Sequence, residues 1–179
     1  DPKFKKAKVF LRDKGDTALQ EINTFLGKSK GTQDPQIAEK RYDTYANLVE
    51  FYANLEEIGL PITEGKKLFG LIKGWEWSTP IKDYNPQLAE AKVHAHDVFK
   101  TSGFNVIEAG ELDKADALLA KVVGKFAEKG SEQLTNDKLE ISTRFAEWAA
   151  QQHGSTNPDM LLQGLKAYDL ALKYNEDNQ

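Results

Sequence analysis

The sequence predicts an all-α protein, a bundle of about six to seven antiparallel helices, and three observations carry that prediction. The first is the placement of proline. Five of the six prolines follow Asp, Thr or Asn, as Asp1-Pro2, Asp34-Pro35, Thr79-Pro80, Asn85-Pro86 and Asn157-Pro158. A proline ring pushes the residue before it out of the helical region. The short polar side chain there can accept hydrogen bonds from the free amides of the following turn, and proline at the first helical position sacrifices no bond. These pairs read as helix starts, and the glycines as stops. The second observation is apolar spacing at three and four residues, the period of a half-buried helix. The third is the lack of alternating runs of strand length. The nearest candidate, FNVIEAG at 104–110, reads as a loop or short turn.

Taken in order, the expected helices are 2–27, 35–58, 64–77, 86–101, 111–129, 136–153 and 158–175. The first is interrupted at Gly15-Asp16. In the second, Ala38, Tyr45, Leu48, Val49, Tyr52 and Leu55 share one stripe, and Gly59 offers a left-handed stop. In the third, Leu68, Leu71, Ile72 and Trp75 share the buried face. In the last, Leu161, Leu165, Tyr168 and Leu172 repeat at four, three and four, which reads as its apolar stripe. The whole chain reads as one helical domain, 1–179, with two helical layers meeting near 102–110.

The segment WEWSTPIKDYNP, residues 75–86, gathers aromatic side chains at a corner. Trp77 lies about 160° round the helix from Trp75, so the two indoles cannot form one box while the helix persists. Trp75 is expected as a buried anchor. Trp77 is expected to be exposed or to cover only the corner, or to form an exposed contact platform with Tyr84.

At 40% hydrophobic and 29% charged, the chain has the composition of a globular protein rather than a disordered one. It has no cysteine, which removes disulfides, iron–sulfur clusters, thiolate zinc sites and cysteine nucleophiles together. The net charge of −4 argues against nucleic acid as a partner. Residues 1–30 nevertheless carry eight Lys or Arg against four acids. Lys3, Lys5, Lys6 and Lys8 form a basic cluster that suits an anionic membrane surface or a solvated helix face. No run of 18 apolar residues occurs, so no transmembrane helix is expected. The chain opens on Asp rather than Met, which reads as a trimmed form with a targeting or anchoring segment removed upstream.

Motifs that would carry chemistry are missing. His94 and His96, in KVHAHD, stand two apart and diverge by about 160° on a helix, so they cannot hold one metal together. Glu90 precedes His94 by four, but the Glu-x-x-His pairs of a di-iron bundle are absent. These histidines read as solvated or helix-flanking, and His153, beside Gly154, as a C-terminal cap. GKSKG and GTQDPQ do not match a phosphate loop, and no G-x-S-x-G occurs. Carboxylates such as Glu56 and Glu57 reveal no pocket. The sequence singles out no catalytic residue, no metal site and no cofactor.

Three stretches in order, DPKFKKAKVFL, RYDTYANLVEFYANLEEIG and ITEGKKLFGLIKGWEW, resemble the soluble part of bacterial membrane-anchored helical proteins of unknown function. The resemblance covers residues 1–77. It implies a tethered helical domain, with a membrane helix ahead of the basic start, and no activity or site residues. Positive charge beside such an anchor favours the cytoplasmic face of a membrane, with a periplasmic or other exported location as the alternative.

The leading functional expectation is a non-enzymatic helical interaction or scaffold domain, membrane-tethered or part of a larger assembly, with a protein partner. The alternatives are a binding protein holding a lipid or pigment between helices, and a helical enzyme whose groups meet only in the fold. The proposed caps are directly testable. Asp34→Ala and Asn157→Ala are each expected to cost about 1 kcal/mol, read as a lowered denaturation midpoint. An unmoved midpoint removes the cap at that site.

Overall fold

The computed structural model describes residues 17–57, excepting 19, and residues 84–175, with the side chains of 51–57 left aside. The expected helix 64–77, Trp75, Trp77, and Lys3, Lys5, Lys6 and Lys8 lie outside the described residues. The protein is all-α. Residues 20–28 form α1, followed by α2 (Pro35–Glu57), α3 (Asn85–Glu108) and α4 (Leu112–Lys121). A π-helical turn, Val122–Phe126, continues α4, and α5 (Glu132–Gln152) and α6 (Pro158–Asn175) complete the order. Among the described residues, no helix is long and apolar enough to cross a membrane. Contacts divide the chain into two compact units, residues 1–91 and 92–179, with α3 passing from one to the other.

In the first unit, Asp34 caps α2 as its pairing with Pro35 predicts. Its Oδ1 accepts from the amides of Gln36 at 2.8 Å and Ile37 at 3.3 Å. The predicted stripe holds as far as it is described, with Ala38, Tyr45 and Leu48 buried and Val49 packed against them. Arg41 lies on the same stripe and is also buried. Its guanidinium donates to the Leu26 carbonyl, to Ser29 Oγ at 3.4 Å and to Tyr45 Oη at 3.4 Å. A cation at the end of α1 thus satisfies a carbonyl that the helix itself leaves open. Tyr84 corrects an expectation. It is 7% exposed, with its ring centroid 6.0 Å from that of Tyr45, so it belongs to the core of this unit and not to an exposed platform. Burial raises its phenol pKa above the ordinary value, and Tyr45 adds to the rise.

Helix α3 starts one residue before the predicted position, with the Tyr84 carbonyl accepting from the Leu88 amide at 2.8 Å. It then runs through the stretch expected as a loop at 102–110. Ala95, Phe99, Gly103 and Ile107 are buried at four-residue spacing, which keeps one face of the helix against the core to its end. The stop is Gly110, at φ 78°. The Glu111 amide reaches the Val106 carbonyl at 3.1 Å and the Gly110 amide reaches that of Ile107 at 2.8 Å. This is the paired closure of a Schellman motif.

The second unit is built from α3 after Ala91, then α4 with its π turn, α5 and α6. The π turn absorbs one extra residue and places Phe126 against Phe99, ring centroids 5.2 Å apart. Helix α5 begins at Glu132, four residues ahead of the predicted start, because Ser131 Oγ accepts from the Leu134 amide at 3.1 Å. His153 stands at the C-cap as expected, and Asn157 Oδ1 caps α6 by accepting from the Asp159 amide at 3.0 Å. Helices α5 and α6 run antiparallel, since Gln152 and Phe145 of α5 meet Gly164 and Tyr174 of α6 in reverse order, and Gly103 of α3 meets Leu119 of α4 across the Gly110 turn. Helices α3 and α5 are parallel neighbours, since His96, Lys100 and Phe104 meet Asp137, Glu140 and Arg144 in the same order.

The apolar stripe of α6 is the second correction. Its buried face is Gly164, Ala167, Ala171 and Tyr174, whereas Leu161, Leu162, Leu165 and Leu172 are exposed. Small residues let the α6 backbone come close to α5. A Cβ on Gly164 would lie 3.2 Å from Gln152 Cβ and 3.5 Å from the Ala149 carbonyl oxygen. The leucine repeat is a true helical stripe, but it lies about 140° round the helix from the packed face.

Among the described glycines of this unit, the closest approach is at Gly103, where an added Cβ would lie 2.6 Å from Leu119 Cγ and Cδ2. Alanine gains up to about 1 kcal/mol of helix propensity over glycine. Forcing a methyl into a packed core costs about 1–3 kcal/mol, and Leu119 is fully buried. Packing should win. Gly103→Ala is expected to lower the urea midpoint, and to cost less in a Leu119→Ala background, as a double-mutant cycle reads directly.

Candidate functional site

The seam between α3 and α5 holds the main cluster of buried charge among the described residues. His96 and Asp137 have side chains only 6% and 3% exposed, and they meet at 2.7 Å from Nε2 to Oδ2. Lys100 Nζ donates to the other oxygen of Asp137 at 2.8 Å and also pairs with Glu140. Gln133 Nε2 lies 3.3 Å from the same His96 Nε2, and on the far side of the ring Nδ1 stands 3.0 Å from Asp97 Oδ1. The ring is thus held from both nitrogens, by Asp137 at Nε2 and by Asp97 at Nδ1.

Each partner is brought in by helical spacing. His96, Lys100 and Phe104 stand four apart on one edge of α3, as Asp137 and Ile141 do on α5. Burial alone would lower the pKa of Lys100, but its hydrogen bonds and charge contacts with Asp137 and Glu140 outweigh that and raise it. The second polar joint ties α6 to α4. Tyr174 Oη donates to Asp116 Oδ1 at 2.8 Å, Lys173 Nζ donates to the same carboxylate at 2.7 Å, and Lys166 reaches Asp113 at 2.7 Å. Burial, then the Asp116 carboxylate, raises the pKa of Tyr174 far above that of free tyrosine.

Further along the α3–α5 seam lies a groove of about 140 Å³. Phe104, Ile107 and Trp148 form its apolar wall, and Arg144, with Glu108, Glu147 and Gln151, its polar rim. The Arg144 guanidinium sits 5.3 Å from the Phe104 ring centroid, a cation–π contact. Ligand pockets usually span about 300–1,000 Å³, so this groove takes at most a small group.

The sequence places His94 and His96 on different faces, and the structure agrees: His94 is half-buried and His96 buried. The solvated reading fails for His96. The available signal was position, since His96 and Asp137 fall where their helices carry buried stripes, and a charge at such a seat implies a partner. Nothing local names that partner across 41 residues. Tyr84, expected at the surface, is in the core of the first unit. Among the described residues, no three His, Asp or Glu side chains gather as a metal-ligating group.

Comparison with known proteins returns no matching family model, no matching curated protein and no matching solved structure.

The network predicts its own pH dependence. A raised folded-state pKa makes Lys100 contribute stability that is present below its ordinary value of 10.5 and lost as pH rises beyond it. Asp137→Asn leaves the Lys100 ammonium and the buried His96 ring without their shared carboxylate. It is expected to cost about 3–5 kcal/mol near neutral pH and to flatten the loss of stability above pH 10.5, read by denaturant unfolding across pH. A variant within 1 kcal/mol of the parent, roughly the value of one ordinary hydrogen bond, would show that the network is not a joint.

Proposed function

We propose that the chain is a non-enzymatic helical interaction domain that offers the outer face of α6 to a protein partner. The observation that carries this reading is the exposure of one leucine stripe: Leu161 at 41%, Leu162 at 63%, Leu165 at 61% and Leu172 at 59%. Single exposed leucines are ordinary, but a contiguous apolar patch on a folded surface marks an interaction site or an aggregation liability. Here the four fall within about 100° of one another on a single helix. Laying such a face into a partner's groove is a common mode of recognition.

The competing readings have less support. An enzyme needs groups that reach substrate, whereas His96 and Asp137 are enclosed and spend their hydrogen bonds on their neighbours. A lipid or pigment between helices needs an enclosed cavity of several hundred cubic ångströms; the α3–α5 groove is smaller, and the hollow of about 590 Å³ beside Phe25 is open and lined by α1 and the residues just before it. Tethering at a membrane through Lys3, Lys5, Lys6 and Lys8 remains compatible with this reading and is not required by it.

Leu162→Glu/Leu165→Glu tests the proposal. Both positions are exposed, so the double variant should fold with stability within about 0.5 kcal/mol of the parent per site. Chemical crosslinking in extracts of the source cells is expected to trap protein partners on the parent chain and to lose them on the variant. Equal crosslinking by both chains would move the interaction elsewhere.

A further inference from the structure

We infer that the partner of α6 is an amphipathic helix of another protein that carries a lysine or arginine in the middle of its apolar stripe. This rests on the interaction-domain reading and adds the chemistry of the partner. The argument starts from spacing. Leu162, Leu165, Asp169 and Leu172 succeed one another at three, four and three residues, the pattern of the a and d seats along a two-helix seam. Leu161 widens the seam on one side. Asp169 therefore occupies a seat among leucines, and it is exposed on the free face of α6. The neighbouring acids behave differently: Asp113 and Asp116, on α4, are taken up by Lys166 and Lys173.

A helix docked along this seam would cover the Asp169 carboxylate, and covering an unpaired charge is costly. A cation opposite removes that cost and sets the register, as polar residues at such seats do. A second copy of this chain does not supply one. Packed parallel, the two copies set Asp169 against Asp169. Packed antiparallel, they set it against Leu165, and neither arrangement gives the carboxylate a cation at its seat. A membrane surface fits no better, since an acid at the centre of the stripe opposes insertion into apolar surroundings and is repelled by anionic headgroups.

The test uses the full chain and two synthetic helical peptides of roughly three heptads, with leucine at every a and d seat except one central a seat. That seat holds lysine in one peptide and glutamate in the other. Fluorescence anisotropy is expected to show the lysine peptide binding at least about tenfold more tightly than the glutamate peptide, a difference of about 1.4 kcal/mol. Asp169→Lys should reverse the preference, Asp169→Asn should level it, and Leu162→Glu/Leu165→Glu should abolish both. Equal binding of the two peptides, lost in the leucine variant, would overturn the charge selection and leave the α6 surface standing. No binding of either peptide, or binding untouched by the leucine variant, would overturn both. Leucine-dependent dimerisation in sedimentation equilibrium would make a second copy the occupant. Leucine-dependent binding to phosphatidylcholine–phosphatidylglycerol vesicles would make it a membrane. Either result overturns the inference.

Discussion

The pairing of His96 with Asp137 is the constraint on which the second unit depends. Helices α3 and α5 are parallel neighbours, so no short turn joins them and no loop length sets their register. Side chains must do it. A slip of one turn would leave an aspartate that is 2% exposed without its cation, and a lysine without its carboxylate. Breaking such a buried pair is far more costly than the pair is worth against a well-packed apolar substitute. The network therefore acts more as a register lock than as a source of net stability. With that register held, Phe104 falls under Arg144 and the Gly110 turn falls against Trp148.

Close approach does the complementary work between consecutive helices. Gly103 lets α3 and α4 meet, while Gly164, Ala167 and Ala171 let α6 lie against α5. Small residues forfeit side-chain burial but bring whole backbones within dispersion range. The polar joints of Asp116 with Tyr174 and Lys173 then hold the opposite edge of α6 to α4. Two edges of the helix are used, and its leucines are left on neither.

Much of this fold was legible in the residues. Asp34-Pro35 and Asn157-Pro158 start helices where their chemistry says. The errors share a cause. FNVIEAG reads as a loop in the sequence, yet α3 continues to Glu108, and the glycine before it, Gly103, is tolerated inside the helix because Leu119 approaches closely there. Tyr84, beside a proline turn, looked exposed, yet Tyr45 was waiting for it. The α6 stripe was read correctly as a stripe and assigned to the wrong side, because periodicity reports that a helix has an apolar face and not what covers it. The His96–Asp137 joint was hardest to see, since its two halves lie on different helices and each looks like ordinary surface polarity alone.

Energetics give the leucine face a definite scale. Fully burying a leucine is worth about 1.5–3 kcal/mol, and these four are roughly half exposed, so each can still gain on the order of 1 kcal/mol. Together that is on the order of several kcal/mol, before the cost of association of about 4 kcal/mol or more. Such a surface supports a reversible contact rather than a permanent one, unless a directed interaction is added. In the proposed complex Asp169 would supply it: a charge pair shielded by surrounding leucines is worth more than the same pair in water, and it would discriminate between partners through the penalty for leaving the acid unpaired. The leucines would then set how tightly α6 holds a helix, and the acid among them which helix it holds.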